Sequence, residues 1–330
     1  MSVENHNQPV TVLIAAFNAE DTIERAVRSA LASALVDRVV VVNDASTDAT
    51  TTRANRQDDG SGRLLVIEHS SNQGPAAGRN YALTFARSPV VALLDADDYF
   101  LPGRFETLLA RDDWDMVADN IMFTSHSDAP AEMPSGSGRI RSVELEEFVL
   151  RNISRPGKPR GELGFLKPLI KRDFLLRANL AYDESLRLGE DFILYVRALA
   201  AGARFKLCDH CGYVAVERTD SLSARHRTED LERLAQAAWQ VHGTLPAGPA
   251  REALGVHNRA LEAKARHRRL LDDKAEIGIV RSIARSLLAP RYVIPVAKAI
   301  YSDKRIARRP LPALPETRTL FSADEFEACA

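Results

Sequence analysis

Apolar residues in the first hundred positions gather into four short runs, Val10–Ala16, Val39–Val42, Leu64–Ile67 and Val90–Leu94. Each run is β-branched or aliphatic throughout rather than alternating, which predicts strands buried on both faces of a parallel sheet. Between the runs the period changes. Ile23, Val27, Ala30, Leu31, Ala34 and Leu35 recur at helical spacing after Asp21, with Glu24 three residues on, the pattern of a capped helix. Ser46-Thr47-Asp48 offers N-cap chemistry behind the second run. Gly74-Pro75 opens an Ala-rich helix reaching about Phe85, with Pro75 suited to its first turn. Strand, helix, strand, helix predicts an α/β chain, a Rossmann-like and mainly parallel sheet flanked by helices.

Past Asp98 the pattern loosens. Helices are expected over Pro102–Arg111, Val143–Arg151, Phe174–Ala178 and Phe192–Ala201, and at least one strand within Phe205–Val216. Asp128–Gly138 and Arg155–Gly164, rich in Gly and Pro, read as loops. From about Arg227 the pattern is helical to Ile306, broken at Leu245–Pro249, Pro290 and Pro295. The expected organisation is an α/β domain over residues 1–226 and a mostly helical C-terminal extension over 227–330.

Composition narrows the picture. The 330 residues are 45% hydrophobic and 27% charged, so the chain is neither disordered in bulk nor too small to hold a core. A net charge of −1 excludes a molecule built to coat nucleic acid. That total hides an asymmetry. Arg251 to Pro310 carries 15 Lys and Arg against 6 Asp and Glu, so a basic segment sits on an acidic body. Within it, Arg281–Arg309 interleaves basic residues with Ile283, Leu287, Leu288, Tyr292, Val293, Ile294, Val296, Ile300 and Tyr301. Two readings of that stretch stand: peripheral contact with an anionic membrane surface, or a packed helical subdomain with a solvated basic face.

Three cysteines exclude a disulfide scaffold. Cys208-Asp209-His210-Cys211 has the spacing of half a metal knuckle, but no second pair exists, so it reads as two buried thiols near a strand. Met1 to Pro9 is polar and acidic, unlike a signal peptide, and no run of about 18 apolar residues occurs. The expected location is the cytoplasm, or the cytoplasmic face of the membrane.

Polar clusters follow each strand of the first hundred residues. Ala16-Phe17-Asn18-Ala19-Glu20 ends the first run, Asn43-Asp44 the second, Ser70 to Gly74 the third, and Asp95-Ala96-Asp97-Asp98 the fourth. Parallel strands bring their carboxyl ends to one edge, where ligands of open α/β sheets bind. Three carboxylates in four residues repel one another. A divalent cation such as Mg²⁺ or Mn²⁺ would relieve that repulsion, and an acidic cap on the following helix is the plainer alternative. Asp44 could accept hydrogen bonds from a base or ribose, or serve the turn. Arg79, a turn into its helix, could pair with phosphate, or could be a solvated surface Arg. Gly189-Glu190-Asp191 places acids before an apolar helix, either as N-terminal charges or as a general base.

In order, Thr11 to Asn18, Val39 to Asp48, Asn72 to Asn80, Leu94 to Asp98 and Gly189 to Asp191 resemble the motifs of family 2 glycosyltransferases of the GT-A fold. The match spans about Val10 to Ser223. The layout is most similar to bacterial exopolysaccharide enzymes of the succinoglycan type. The resemblance implies an inverting, metal-dependent transfer of a hexose from a UDP-sugar, with UDP-glucose favoured, to a saccharide acceptor carried on a polyprenyl diphosphate. It assigns Ala16, Phe17, Asn18 and Glu20 to the nucleotide pocket, Asp44 to the uracil ring, and Arg79 to the base and ribose. It assigns Asp95, Ala96 and Asp97 to the D-x-D motif, with Asp97 the main Mn²⁺ or Mg²⁺ ligand and Asp95 nearer the ribose. Asp191 becomes the base, and Arg218 with Ser221-Leu222-Ser223 a segment over the diphosphate. Two positions depart from the family pattern: Ala16 stands for the usual Pro, and Asn43 for the first acid of an Asp-Asp pair. The Gln-x-x-Arg-Trp motif of processive synthases is absent, which points to single additions. A sugar nucleotidyltransferase and a nucleotide-sugar-binding protein without turnover are the competing readings.

Overall fold

The computed structural model describes residues 8–125, 136, 138–154, 161–217, 227–287, 297, 300–301 and 317–326. The four predicted strands form as β1 (Val10–Ala16), β2 (Val36–Asn43), β3 (Leu64–Glu68) and β4 (Val90–Leu93). They pair in parallel in the order β3-β2-β1-β4. Val12, Ile14, Val39 to Val42, Val90 and Ala92 are fully buried, as continuous apolar runs require. Helices α1 (Ile23–Leu31), α2 (Thr50–Asn55) and α3 (Pro75–Thr84) make the crossovers. Gly78 lets α3 lie close on β1, since a Cβ there would meet the Ala15 Cβ at 3.1 Å.

Local details differ from the sequence expectation. Helix α1 starts after Thr22, whose hydroxyl donates to the Ala19 carbonyl, so no capping box forms between Asp21 and Glu24. It stops at Leu31, and Leu35 lies in the turn where its carbonyl accepts from Val10 N–H at 2.9 Å. Asp48 does serve the start of α2, accepting from Thr50 N–H at 3.0 Å.

Beyond β4 the sheet becomes mixed rather than parallel. The added strands are β5 (Tyr99–Phe100), β6 (Met116–Thr124), β7 (Ile140–Ser142), β8 (Leu169–Lys171), β9 (Phe205–Val216) and β10 (Thr317–Thr319). The order continues β4-β8-β6-β9-β5, with β8 antiparallel to both neighbours and β6 parallel to β9. Every residue of β6 is buried, yet the sequence does not announce it, because Asp119 and Asn120 interrupt its apolar run. Tertiary partners satisfy both: Arg104 binds Asp119, and the Phe321 backbone binds the Asn120 amide.

Helix α4 (Arg104–Leu109) follows β5, α5 (Leu145–Leu150) and α6 (Arg172–Arg177) flank β8 in sequence, and α7 (Glu190–Ala200) precedes β9. Helices α8 (Thr228–Thr244), α9 (Pro249–Ile277) and α10 (Ile279–Leu287) complete the described helical part. The chain divides into two compact units. One holds Met1–Glu144, Gly164–Arg218 and Pro315–Ala330; the other holds Leu145–Leu163 and Thr219–Leu314. This departs from a single boundary at 226/227. β10 returns to β6, and α5 packs on α9, and neither element is long enough to show that in its own pattern. Arg218, Ser221-Leu222-Ser223, Pro290, Pro295, Cys329 and most of the two predicted Gly/Pro loops lie outside the described residues. Among the described residues no helix is long and apolar enough to cross a membrane.

Candidate active site

Strand order reverses at β1 and β4: β2 and β3 lie to one side of β1, and β4 and β8 to the other. The crevice outside the carboxyl ends of strands at such a switch is where open α/β sheets bind ligands. The β1 end supplies Ala16, which is buried, and Phe17, which is 47% exposed. Asn18 takes a positive φ of 47°, which Asn tolerates better than most residues. Its N–H donates to Ser46 Oγ and its Oδ1 accepts from Thr47 N–H, both at 2.9 Å. Glu20 Oε2 accepts from Ala49 N–H at 3.1 Å, and Glu20 N–H donates to Asp48 Oδ2 at 3.1 Å. Asn18 and Glu20 therefore bind the β1 loop to the β2 loop, and the Phe17 ring beside them is exposed.

Asn43 explains its own departure from an acid. Its Nδ2 donates to Thr51 Oγ1 at 2.6 Å while its Oδ1 accepts from Ser46 N–H at 3.1 Å. An ionised carboxylate could accept from Ser46 but could not donate to Thr51. Asp44, 3% exposed, accepts from Gln73 N–H at 2.8 Å through Oδ1 and from Gly74 N–H at 2.7 Å through Oδ2. His69 Nδ1 lies 3.0 Å from the same Oδ1. Asp44 thus holds the loop that launches α3.

That helix carries Arg79 into the centre of an acidic cluster. Arg79 is 6% exposed. Its Nη2 donates to Asp95 Oδ1 at 2.7 Å, and its Nη1 to Glu190 Oε1 at 2.8 Å and Asp191 Oδ1 at 3.3 Å. A second buried cation completes the group: Lys167 Nζ lies 2.6 Å from Asp191 Oδ2 and 2.9 Å from Asp95 Oδ2. Burial opposes the charge on Lys167, but Asp191 and Asp95 outweigh it and leave its pKa above the ordinary lysine value. Burial would raise Asp95, and the Lys167 and Arg79 charges overcome that and hold its carboxyl well below the usual range. Asp191 stands in the first turn of α7, whose N-cap is Gly189 in the left-handed region at φ 70°, a turn only glycine makes without strain.

The end of β4 separates its three acids by task. Asp98 is buried, accepting from Tyr213 Oη at 2.7 Å and Val216 N–H at 2.9 Å. Burial, then the Asp97 and Asp95 charges, push its carboxyl well above the usual range. It anchors the motif to β9. Ala96 and Asp97 are half-buried, and the Asp97 carbonyl accepts from Arg25 Nη2 at 2.8 Å. A divalent cation at this motif would draw on the Asp97 carboxylate. Both Asp95 oxygens already face cations, and Asp98 serves β9. Among the described residues no group of three His, Cys, Asp or Glu converges as a ready cage. Mg²⁺ and Mn²⁺ need only one or two carboxylates when a diphosphate supplies the rest.

The structure thus gathers Arg79, Asp95, Glu190 and Asp191, and keeps Asn18, Glu20 and Asp44 at the loops around them. Lys167 was missed by sequence reading. A lone Lys before Pro168 has no local signal, and its partners lie 24 and 72 positions away in sequence.

The Rossmann-like sheet thus carries an acid motif at its switch point and a helix-borne carboxylate in the same cluster. The chain belongs to glycosyltransferase family 2. Residues 11–172 match the family described as Glycosyl transferase family 2. The chain is 45% identical over 309 residues to the succinoglycan biosynthesis protein ExoU of Rhizobium meliloti (strain 1021), covering 91% of this chain and 89% of that one. It is 37% identical over 93 residues to the UDP-Glc:alpha-D-GlcNAc-diphosphoundecaprenol beta-1,3-glucosyltransferase WfaP of Escherichia coli, covering 28% and 36% of the two chains. The fold is similar to that of S. aureus TarS 1–349 in complex with UDP-GlcNAc, with a TM-score of 0.59 at 18% identity over 86% of this chain and 91% of that one.

Proposed function

We propose that this glycosyltransferase is an inverting enzyme of exopolysaccharide assembly. It moves a hexose from a UDP-sugar, glucose favoured, to a saccharide acceptor carried on polyprenyl diphosphate at the cytoplasmic face of the membrane. ExoU, similar over nearly the whole chain, supports the pathway, and the reaction that names WfaP supports the donor and the carrier. The observation that carries the chemistry is the meeting of Asp191 with Asp95 in one buried cluster at the sheet's switch point.

The acceptor hydroxyl attacks the anomeric carbon from the side of Asp191. The new C–O bond forms as the bond to the β-phosphate oxygen breaks, UDP leaves with the electron pair, and the hydroxyl proton passes to the Asp191 carboxylate. One displacement without an enzyme nucleophile inverts the configuration. Asp97 would hold Mn²⁺ or Mg²⁺, and the cation supplies Lewis-acid charge against the departing diphosphate. Phe17 offers its exposed ring to the base, and Asp44 fixes the loop beside it. Glu190, paired with Arg79, orients rather than accepts the proton.

Incubating the enzyme with Mn²⁺, a panel of UDP-sugars and lipid-linked oligosaccharide extract should release UDP and yield a β-linked product from an α-linked donor by NMR. Asp191→Asn should lose about 10²–10⁴-fold in turnover while still binding UDP. A retained α-linkage, or near-normal turnover by Asp191→Asn, would overturn the assignment. Pyrophosphate exchange in place of transfer would point to a nucleotidyltransferase.

A further inference from the structure

Lys167 belongs to none of the five family motifs, yet it is built into the site more firmly than most residues that do. It is 7% exposed. Its ammonium bridges two elements, touching Asp95 at the end of β4 and Asp191 in the first turn of α7. Its main chain is held as well, because Arg104 Nη2 donates to the Lys167 carbonyl at 2.6 Å. Arg104 is itself fully buried and grips Asp119 through Nε at 3.1 Å and Nη2 at 2.9 Å. Gly212 closes over that pair; a Cβ there would stand 2.5 Å from Asp119 Oδ2. A flexible lysine is thereby mounted on a rigid support.

The two cations around Asp191 are not equivalent. Arg79 makes its short contacts to Asp95 and Glu190 and reaches Asp191 only at 3.3 Å. Lys167 makes its shortest contact, 2.6 Å, to Asp191 Oδ2. That contact holds Oδ2 in place, while Oδ1 takes only the longer 3.3 Å contact from Arg79 Nη1. The other groups facing Asp191 are Asp95, Glu190 on its own helix, and the buried phenols Tyr182 and Tyr195. None of these carries positive charge.

We propose that Lys167 is a positioning residue for the reaction: bridging Asp95 and Asp191, it fixes the orientation of the base carboxylate toward the acceptor hydroxyl. This rests on the reading of Asp191 as the base.

The test is kcat and donor KM for UDP-sugar turnover in the full-length enzyme, Lys167→Gln and Lys167→Arg. Lys167→Gln should lower kcat at least about tenfold, with donor KM changed less than about threefold. Lys167→Arg keeps the charge, but its kcat should still fall, since a planar guanidinium is larger than the ammonium it replaces in a buried site. If Lys167→Gln does not fold, Lys167→Arg decides: wild-type kcat in that variant overturns the proposal. Wild-type kcat in folded Lys167→Gln, or a loss carried wholly by KM, overturns it too and leaves the base assignment intact. A wild-type enzyme inactive with every donor would overturn both readings together.

Discussion

Asp44 places each carboxylate oxygen on a different backbone N–H, Gln73 and Gly74, and so sets the entry of α3 that delivers Arg79. Charge-assisted bonds to backbone N–H groups are among the stronger ones. Asp44→Asn would turn an NH₂ toward one of those donors, leaving a buried N–H unsatisfied at about 1–3 kcal/mol. We expect a lowered Tm together with a raised KM for the UDP-sugar; an unchanged KM would separate this loop from the nucleotide. Asp97 makes a complementary case. Asp97→Ala should cut turnover by far more than about tenfold and abolish stimulation by added Mn²⁺. Full wild-type activity in excess chelator would remove the metal from the mechanism. At this scale the acids were legible in sequence, because strand-end position and spacing single them out. Their partners were not: Asp98 read only as one of three neighbouring carboxylates, and its contacts with Tyr213 and Val216 show it serving β9.

Helix α9 contains a titratable core position. His257 is 4% exposed, and burial lowers its pKa from 6.5 to about 4. The folded chain keeps it neutral where the unfolded chain takes up a proton. Stability is therefore fully present above about pH 6.5 and is lost as pH falls toward 4. The full difference corresponds to about 3 kcal/mol. Urea unfolding followed between pH 4 and 7 should show the helical unit weakening on acidification, and His257→Leu should flatten that slope. Helix α10 presents Ile279, Val280 and Ile283 at 49%, 77% and 47% exposure, beside the exposed Arg281. Apolar burial and basic charge both favour an anionic bilayer. Flotation with anionic liposomes should carry the wild-type protein upward, and the Val280→Asp, Ile283→Asp double variant should float less. Equal flotation would favour the reading of a solvated face.

For the molecule as a whole, the chain's end is part of its first unit. Thr317–Thr319 pairs with Met122–Thr124 of β6, and Phe321, 1% exposed, exchanges two 3.0 Å hydrogen bonds with the Asn120 side chain. Removing residues 315–330 would leave a buried amide without either partner and uncover β6. It should therefore lower Tm by several degrees, at about 1–3 kcal/mol for the lost bonds alone. A truncated chain with wild-type Tm would show that β10 adds nothing. The same geometry makes point substitutions in α10 a cleaner test of membrane contact than cutting the chain there.

The sequence by itself determined the parallel half of the sheet, the crevice at its edge and the acids that line it. Burial on both faces imposes continuous apolar runs, and loops leave their polar residues at strand ends; both are local properties. What only the tertiary structure decided is how those acids are paired. Arg79 and Asp191 meet across 112 positions of chain, Lys167 enters from a segment with no motif, and Asp119 is affordable in a core strand only because Arg104 lies against it. The electrostatics of a buried site depend on contacts over a few ångströms, and sequence spacing does not encode those distances until β8, β6 and α7 have packed beside β4.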